Sequence, residues 1–124
     1  MLQDKVVLIV DDDTTLSDMY GEMIKSKGAL VTHALDGAEA IKKATNDLPN
    51  FVLLDLMLPK MNGFDVLKML KGNEMTKNIP VMVFSALNEE DKRKKSLSLG
   101  AVDYVAKSEV LPRDLIEKIK KYIV

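Results

Sequence analysis

Three stretches of the chain are continuously apolar and rich in β-branched or aromatic residues: Val6–Val10, Phe51–Leu54 and Val81–Phe84. Runs of that length and composition predict strands covered on both faces. Two further candidates, Leu30–Leu35 and Val102–Ala106, mix Thr32, His33 and Asp103 into the apolar pattern. A sheet tolerates polar residues best at its margins, so these two are expected at the edges. Between the strands the period changes from 2 to 3.6. Leu16, Met19, Tyr20 and Met23 share one helical face, with Gly28 expected as the C-cap. A second helix opens at Asp36, with Glu39 three residues on as a capping-box partner. It turns Ile41 and Ala44 inward and stops before Pro49. Phe64, Leu67 and Leu70 mark a third helix ending near Gly72; a fourth runs from about Asn88 to Leu99; a fifth starts near Pro112 and carries Leu115, Ile116, Ile119 and Ile123.

Strand then helix, five times over, predicts an α/β fold with right-handed crossovers and a parallel sheet covered on both sides. Placing the two polar strands outside selects the order 2-1-3-4-5, the doubly wound, flavodoxin-like arrangement. A chain of 124 residues suits one domain, so residues 1–124 are expected to form it with no output domain alongside. Lys and Arg total 18 against 19 Asp and Glu, which gives no general electrostatic reason to bind nucleic acid or an anionic membrane. No cysteine is present and only one histidine, which removes thiol chemistry and makes His-based metal sites and triads improbable. The N-terminal apolar run has five residues before the acids begin, too short for a signal peptide or a membrane span; a cytoplasmic protein is the simplest expectation.

Ligands of doubly wound sheets sit at the carboxyl ends of the strands. There the first strand delivers Asp11 and Asp12, the third Asp55, the fourth Ser85 and the fifth Lys107. Three carboxylates so close repel one another unless a cation joins them. With oxygen ligands only, a hard ion is implied, and Mg²⁺ is favoured because it takes one or two carboxylates, keeps waters and accepts phosphate oxygens. Lys107 suits a phosphoryl oxygen as a point charge and the Ser85 hydroxyl suits another. A carboxylate central to such a group can be a nucleophile, and Asp55, which ends a fully apolar run at a cost if unpartnered, is the best candidate.

Val10 to Asp13, the segment Asp55 to Gly63 with Pro59, the pair Ser85–Ala86, and Gly100 to Lys107 together resemble the receiver domain of two-component response regulators, over essentially the whole chain. The resemblance implies that Asp55 is the phosphoacceptor, that Asp11, Asp12 and Asp55 hold Mg²⁺ with the Met57 backbone carbonyl, and that Ser85 and Lys107 bind the phosphoryl group. It implies a switch through Ser85 and Tyr104 that alters the face made by the fourth helix, fifth strand and fifth helix. The phosphodonor would be a sensor histidine kinase or a histidine phosphotransfer protein, with a downstream protein partner on the switch face. Neither nucleic acid nor membrane would be a direct partner, and the chain would be a monomer or a weak dimer on phosphorylation. Such a chain catalyses only its own phosphorylation and dephosphorylation.

One departure stands out: the family usually has proline, often in a cis peptide, after the lysine, whereas Ser108 follows Lys107. A cis bond before a non-proline residue costs about 3 kcal/mol, so a trans bond or an unusual loop is expected. Met57 and Leu87, which border the phosphoryl position in the family, are apolar and orient no water, so slow hydrolysis is expected. Bland readings compete residue by residue. Asp11–Asp13 resembles a helix cap, Pro59 and Gly63 resemble turn residues, His33 reads as structural, and Asp91–Lys95 reads as a solvated helix face. Two other function classes are a metal-dependent phosphatase with an aspartyl nucleophile, which normally carries an acid at the place of Met57, and a pseudo-receiver that binds partners without phosphate.

Overall fold

A computed structural model describes residues 2–123. The elements run β1 (Val6–Val10), α1 (Thr14–Lys25), β2 (Leu30–Ala34), α2 (Gly37–Asp47), β3 (Phe51–Leu54), α3 (Gly63–Gly72), β4 (Val81–Ser85), α4 (Glu90–Ser98), β5 (Asp103–Ala106) and α5 (Pro112–Ile123). All strand pairings are parallel and the order is β2-β1-β3-β4-β5. The polar strands are therefore at the edges and the three apolar runs in the middle, as their patterns require.

Alternation along each central strand feeds two cores. Leu8, Val10, Val52, Leu54, Val81 and Val83 pack with α2 and α3 on one face. Val7, Ile9, Phe51, Leu53, Met82 and Phe84 pack with Ile24 of α1 and Leu115 and Ile119 of α5 on the other. Burying both faces explains why no polar residue interrupts these strands before their last position.

Helix starts follow the local chemistry. Asp13, Asp36 and Asn62 each cap a helix by accepting from the amide three residues on, Leu16, Glu39 and Asp65. The Glu39 carboxylate reaches back to the Leu35 amide rather than to that of Asp36, a capping box displaced by one residue. α1 is capped at Ser26, not Gly28. The chain makes a further turn before Gly28 (φ 98°) reverses it, and a side chain there would strike Gln3 at 2.5 Å. β2 stops at Ala34, one residue early, because Leu35 turns toward the Asp36 cap; β4 takes in Ser85, which pairs with Ala106, and β5 begins at Asp103.

α4 is held by little apolar surface. Leu97 is exposed; the buried position is Ser96, whose hydroxyl donates to the Lys92 carbonyl at 2.8 Å, and only Leu99, just past the helix, packs on the core. Cations do the rest. Arg93 Nη1 donates to the Tyr104 carbonyl at 3.0 Å, and Lys95 and Lys92 lie 4.3 and 5.7 Å from the centre of the Phe64 ring. At an exposed site each such contact contributes about 0.5–1 kcal/mol, far less than a buried apolar face. Amides of 90–98 are therefore expected to exchange with solvent faster than those of 14–25; equal protection would show that α4 is anchored as firmly as α1.

Candidate functional site

The strand ends that carry the candidate residues lie side by side because β1, β3, β4 and β5 are consecutive neighbours in register. The Asp55 amide donates to the Val10 carbonyl at 2.9 Å, which sets Asp55 beside the start of the acidic run. The run then divides its work. Asp13 is the α1 cap, the bland reading, while Asp11 and Asp55 are buried and Asp12 is exposed at the rim. Oxygen atoms of Asp11, Asp12 and Asp55 come within 4.8 Å of one another. A set of three carboxylates with no nitrogen or sulfur donor fits a hard divalent cation.

Lys107 enters from the end of β5. Its ammonium donates to Asp11 Oδ2 at 2.7 Å and to Asp55 Oδ2 at 3.4 Å. Burial alone pushes Lys107 down, but the hydrogen bond it donates to Asp11 and the charges of both acids outweigh it and hold the ammonium above its ordinary range. Asp55 is pushed up, first by burial; the Met57 amide, which donates to Oδ1 at 3.1 Å, and Lys107 pull it back, and Asp11 adds to the rise. A raised carboxylate favours the folded state in its neutral form, so ionised Asp55 costs stability above its folded pKa and nothing below the unfolded one. Asp55→Asn is therefore expected to melt a few degrees above the native protein at pH 7, the gain fading as pH falls toward the ordinary carboxylate range. An equal melting temperature at both pH values would contradict this.

Ser85 is fully buried at the end of β4, and its Oγ accepts from the Leu87 amide at 3.2 Å. Tyr104 is buried too, with its hydroxyl donating to the Leu87 carbonyl at 2.6 Å. Burial pushes that hydroxyl up, with the charges of Glu89 and Asp55 adding to it. Met57 is exposed beside Asp55. Thus Asp11, Asp12, Asp55 and Lys107 form one cluster, and Ser85 and Tyr104 are joined through Leu87. His33, read as structural, sits against α1 with its Nδ1 2.6 Å from Ser17 Oγ.

Sequence reasoning missed three features. Gly63 is not a conformational glycine: a Cβ there would lie 2.5 Å from the Leu56 Cα and 2.6 Å from the Asp55 carbonyl oxygen. Lys107–Glu109 forms a 3₁₀ turn, a shape the sequence did not specify, while the Lys107–Ser108 bond is trans as the serine led one to expect. Glu109 then reaches the β4–α4 loop, accepting from Asn88 Nδ2. The proline-to-serine change was the only signal for the last two.

A family model described as "Response regulator receiver domain" matches residues 7–120. The chain belongs to the response regulator receiver family. Solved structures agree. A putative response regulator from Chloroflexus aurantiacus is 28% identical with a TM-score of 0.91, covering 98% of each chain. A CheY-like receiver domain protein from Methanospirillum hungatei is 31% identical with a TM-score of 0.90, covering 98% of this chain and 94% of that one. Among curated proteins, the alkaline phosphatase synthesis transcriptional regulatory protein PhoP of Bacillus subtilis is 34% identical over 94% of this chain and 47% of its own length. The phosphate regulon transcriptional regulatory protein PhoB of Escherichia coli is 33% identical over 92% and 49%. The receiver domain thus spans about half the length of these relatives. Receiver domains are the phosphoacceptors of two-component systems and generally bind Mg²⁺ at an acidic pocket; here Asp11, Asp12 and Asp55 form an acidic cluster. Among the described residues no helix is long and apolar enough to cross a membrane.

Proposed function

We propose that this receiver domain takes a phosphoryl group from a phosphohistidine, on a sensor histidine kinase or a histidine phosphotransfer protein, onto Asp55. The observation that carries the reading is the paired contact of Lys107 with Asp11 and Asp55, deep in a group of three acids. Asp11, Asp12, Asp55 and the Met57 backbone carbonyl would hold Mg²⁺, which when bound neutralises charge on the phosphoryl oxygens. An ionised Asp55 oxygen attacks phosphorus, the P–N bond breaks, and the leaving imidazole keeps the electron pair and takes up a proton. The Lys107 ammonium moves from carboxylate to phosphoryl oxygen, and the Ser85 hydroxyl donates to another. The product carries close to two negative charges where one carboxylate stood, which favours a different packing of Ser85, Tyr104 and the β4–α4 loop.

The readout is the face of α4, β5 and α5, where Arg93 borders two open grooves of about 200 and 220 Å³. A downstream protein partner docks there in the cytoplasm, without direct contact to nucleic acid or membrane, and the domain is a monomer or a weak dimer when phosphorylated. Residues 1–124 act as a phosphoacceptor unit and turn over no other substrate. Beryllofluoride with Mg²⁺, followed by NMR, is expected to shift amides of Ser85, Tyr104 and 87–98, and to shift none of them in Asp55→Asn. Shifts that persist in the variant would remove Asp55 from the reading.

Apolar Met57, whose amide donates to Asp55, and Leu87, which the family resemblance sets beside the phosphoryl group, offer no group to orient water. The aspartyl phosphate is accordingly long-lived, and a decay assay is expected to show Met57→Asn losing its phosphoryl group faster than the native protein. A longer life in the variant would contradict that.

A further inference from the structure

Glu109 has no role in the transfer just described, and the 3₁₀ turn ties it to a residue that does. Lys107, the first residue of that turn, bonds Asp11 and Asp55; Glu109, the last, accepts from Asn88 of the β4–α4 loop. Asn88 follows Leu87, whose amide donates to Ser85 Oγ and whose carbonyl accepts from Tyr104. The contacts form a continuous path from Asp55 through Lys107, Glu109, Asn88 and Leu87 to Ser85. The two groups placed to receive phosphoryl oxygens, Lys107 from β5 and Ser85 from β4, are thus joined outside the sheet by one side-chain hydrogen bond between two exposed residues.

We propose that Asn88 and Glu109 form a latch that keeps Ser85 and Lys107 in register, making both positioning residues for phosphorylation of Asp55. The inference rests on the transfer to Asp55 proposed above. Two physical points support it. A trans, serine-containing turn winds as a 3₁₀ helix and aims Glu109 back toward the β4–α4 loop. α4 itself offers that loop little apolar anchorage, so a single bond at its start has leverage that a firmly packed helix would cancel.

The test is the initial rate at which the full chain gains a phosphoryl group from acetyl phosphate with Mg²⁺, read by intact mass. Asn88→Ala and Glu109→Ala are each expected to slow it about fivefold, the size of one ordinary hydrogen bond. The double variant is expected to be no slower than either single, and Glu109→Gln, which keeps a carbonyl acceptor, to run near the native rate. Melting temperatures of these exposed-site variants are expected to match the native one. In the unphosphorylated Glu109→Ala protein the Leu87 amide signal is expected to move, a readout that needs no phosphodonor. Alanine variants at the native rate with an unmoved Leu87 signal overturn the latch while leaving the Asp55 reading intact. Losses that multiply to about 25-fold in the double variant show independent effects and also overturn it. A native protein that is never modified at Asp55 overturns the transfer reading and the latch with it.

Discussion

Lys107→Met is expected to slow phosphorylation by a small phosphodonor about 100-fold and, in metal-free buffer at pH 7, to destabilise the fold by about 2 kcal/mol. The two effects share one cause. The ammonium lies 2.7 Å from Asp11 and 3.4 Å from Asp55, both nearly inaccessible to water, and removing it leaves two ionised carboxylates facing each other without a cation. The site opens to solvent at Asp12, which keeps the loss below that of a fully enclosed pair. Two rescues follow from the sign of the charge. Mg²⁺ is expected to stabilise the variant more than the native protein, since it supplies the missing positive charge. Acid is expected to shrink the deficit as Asp55, whose carboxyl burial already holds above its ordinary range, protonates and one of the facing charges is lost. Thermal melts at pH 7 and pH 4, with and without Mg²⁺, check both; a deficit that ignores pH and metal would mean that Lys107 acts through packing alone.

Gly63→Ala is expected to cost about 3 kcal/mol and to disturb the site, although Gly63 has an ordinary negative φ. The new Cβ meets backbone, the Leu56 Cα at 2.5 Å and the Asp55 carbonyl oxygen at 2.6 Å, and the Gly63 amide donates to the Leu56 carbonyl at 2.9 Å. Backbone cannot rotate aside as a side chain can. Relief requires α3 to withdraw from the segment that carries Asp55 and Met57, so Mg²⁺ binding should weaken together with stability. Gly72, at the far end of the same helix, is the matched control. A Cβ there meets nothing within 4 Å, and Gly72→Ala is expected to stabilise by about 0.5–1 kcal/mol through the lost freedom of the unfolded chain. Chemical denaturation of the two variants settles the contrast; equal effects would show that the close approach at Gly63 relaxes without cost.

What the sequence made legible was whatever depends on local pattern. Val6–Val10 and Phe51–Leu54 are strands because every position is apolar, and an acid directly after each run has to sit at a strand end. The convergence of Asp11, Asp55 and Lys107 then follows from topology, since parallel neighbours present the same ends. What stayed hidden depends on groups that meet only after folding. Lys92 and Lys95 read as solvated charge, yet they cover Phe64, a contact no spacing rule foresees. Gly63 looked like a turn residue because a clash with a neighbouring backbone has no sequence signature. The Asn88–Glu109 bond spans 21 residues and depends on a turn that the serine after Lys107 only hints at. The sequence puts the α1 C-cap two residues too late, at Gly28 instead of Ser26, for a similar reason: what Gly28 avoids is Gln3, on a different segment.

The central claim is that Asp55 accepts a phosphoryl group at a site completed by Asp11, Asp12, Ser85 and Lys107. Intact mass spectrometry after incubation with acetyl phosphate and Mg²⁺ tests it most directly. The native chain should gain about 80 Da, removed by chelating the metal beforehand and absent in Asp55→Asn. A native chain that stays at its starting mass, or an Asp55→Asn chain that gains the same increment, would contradict it.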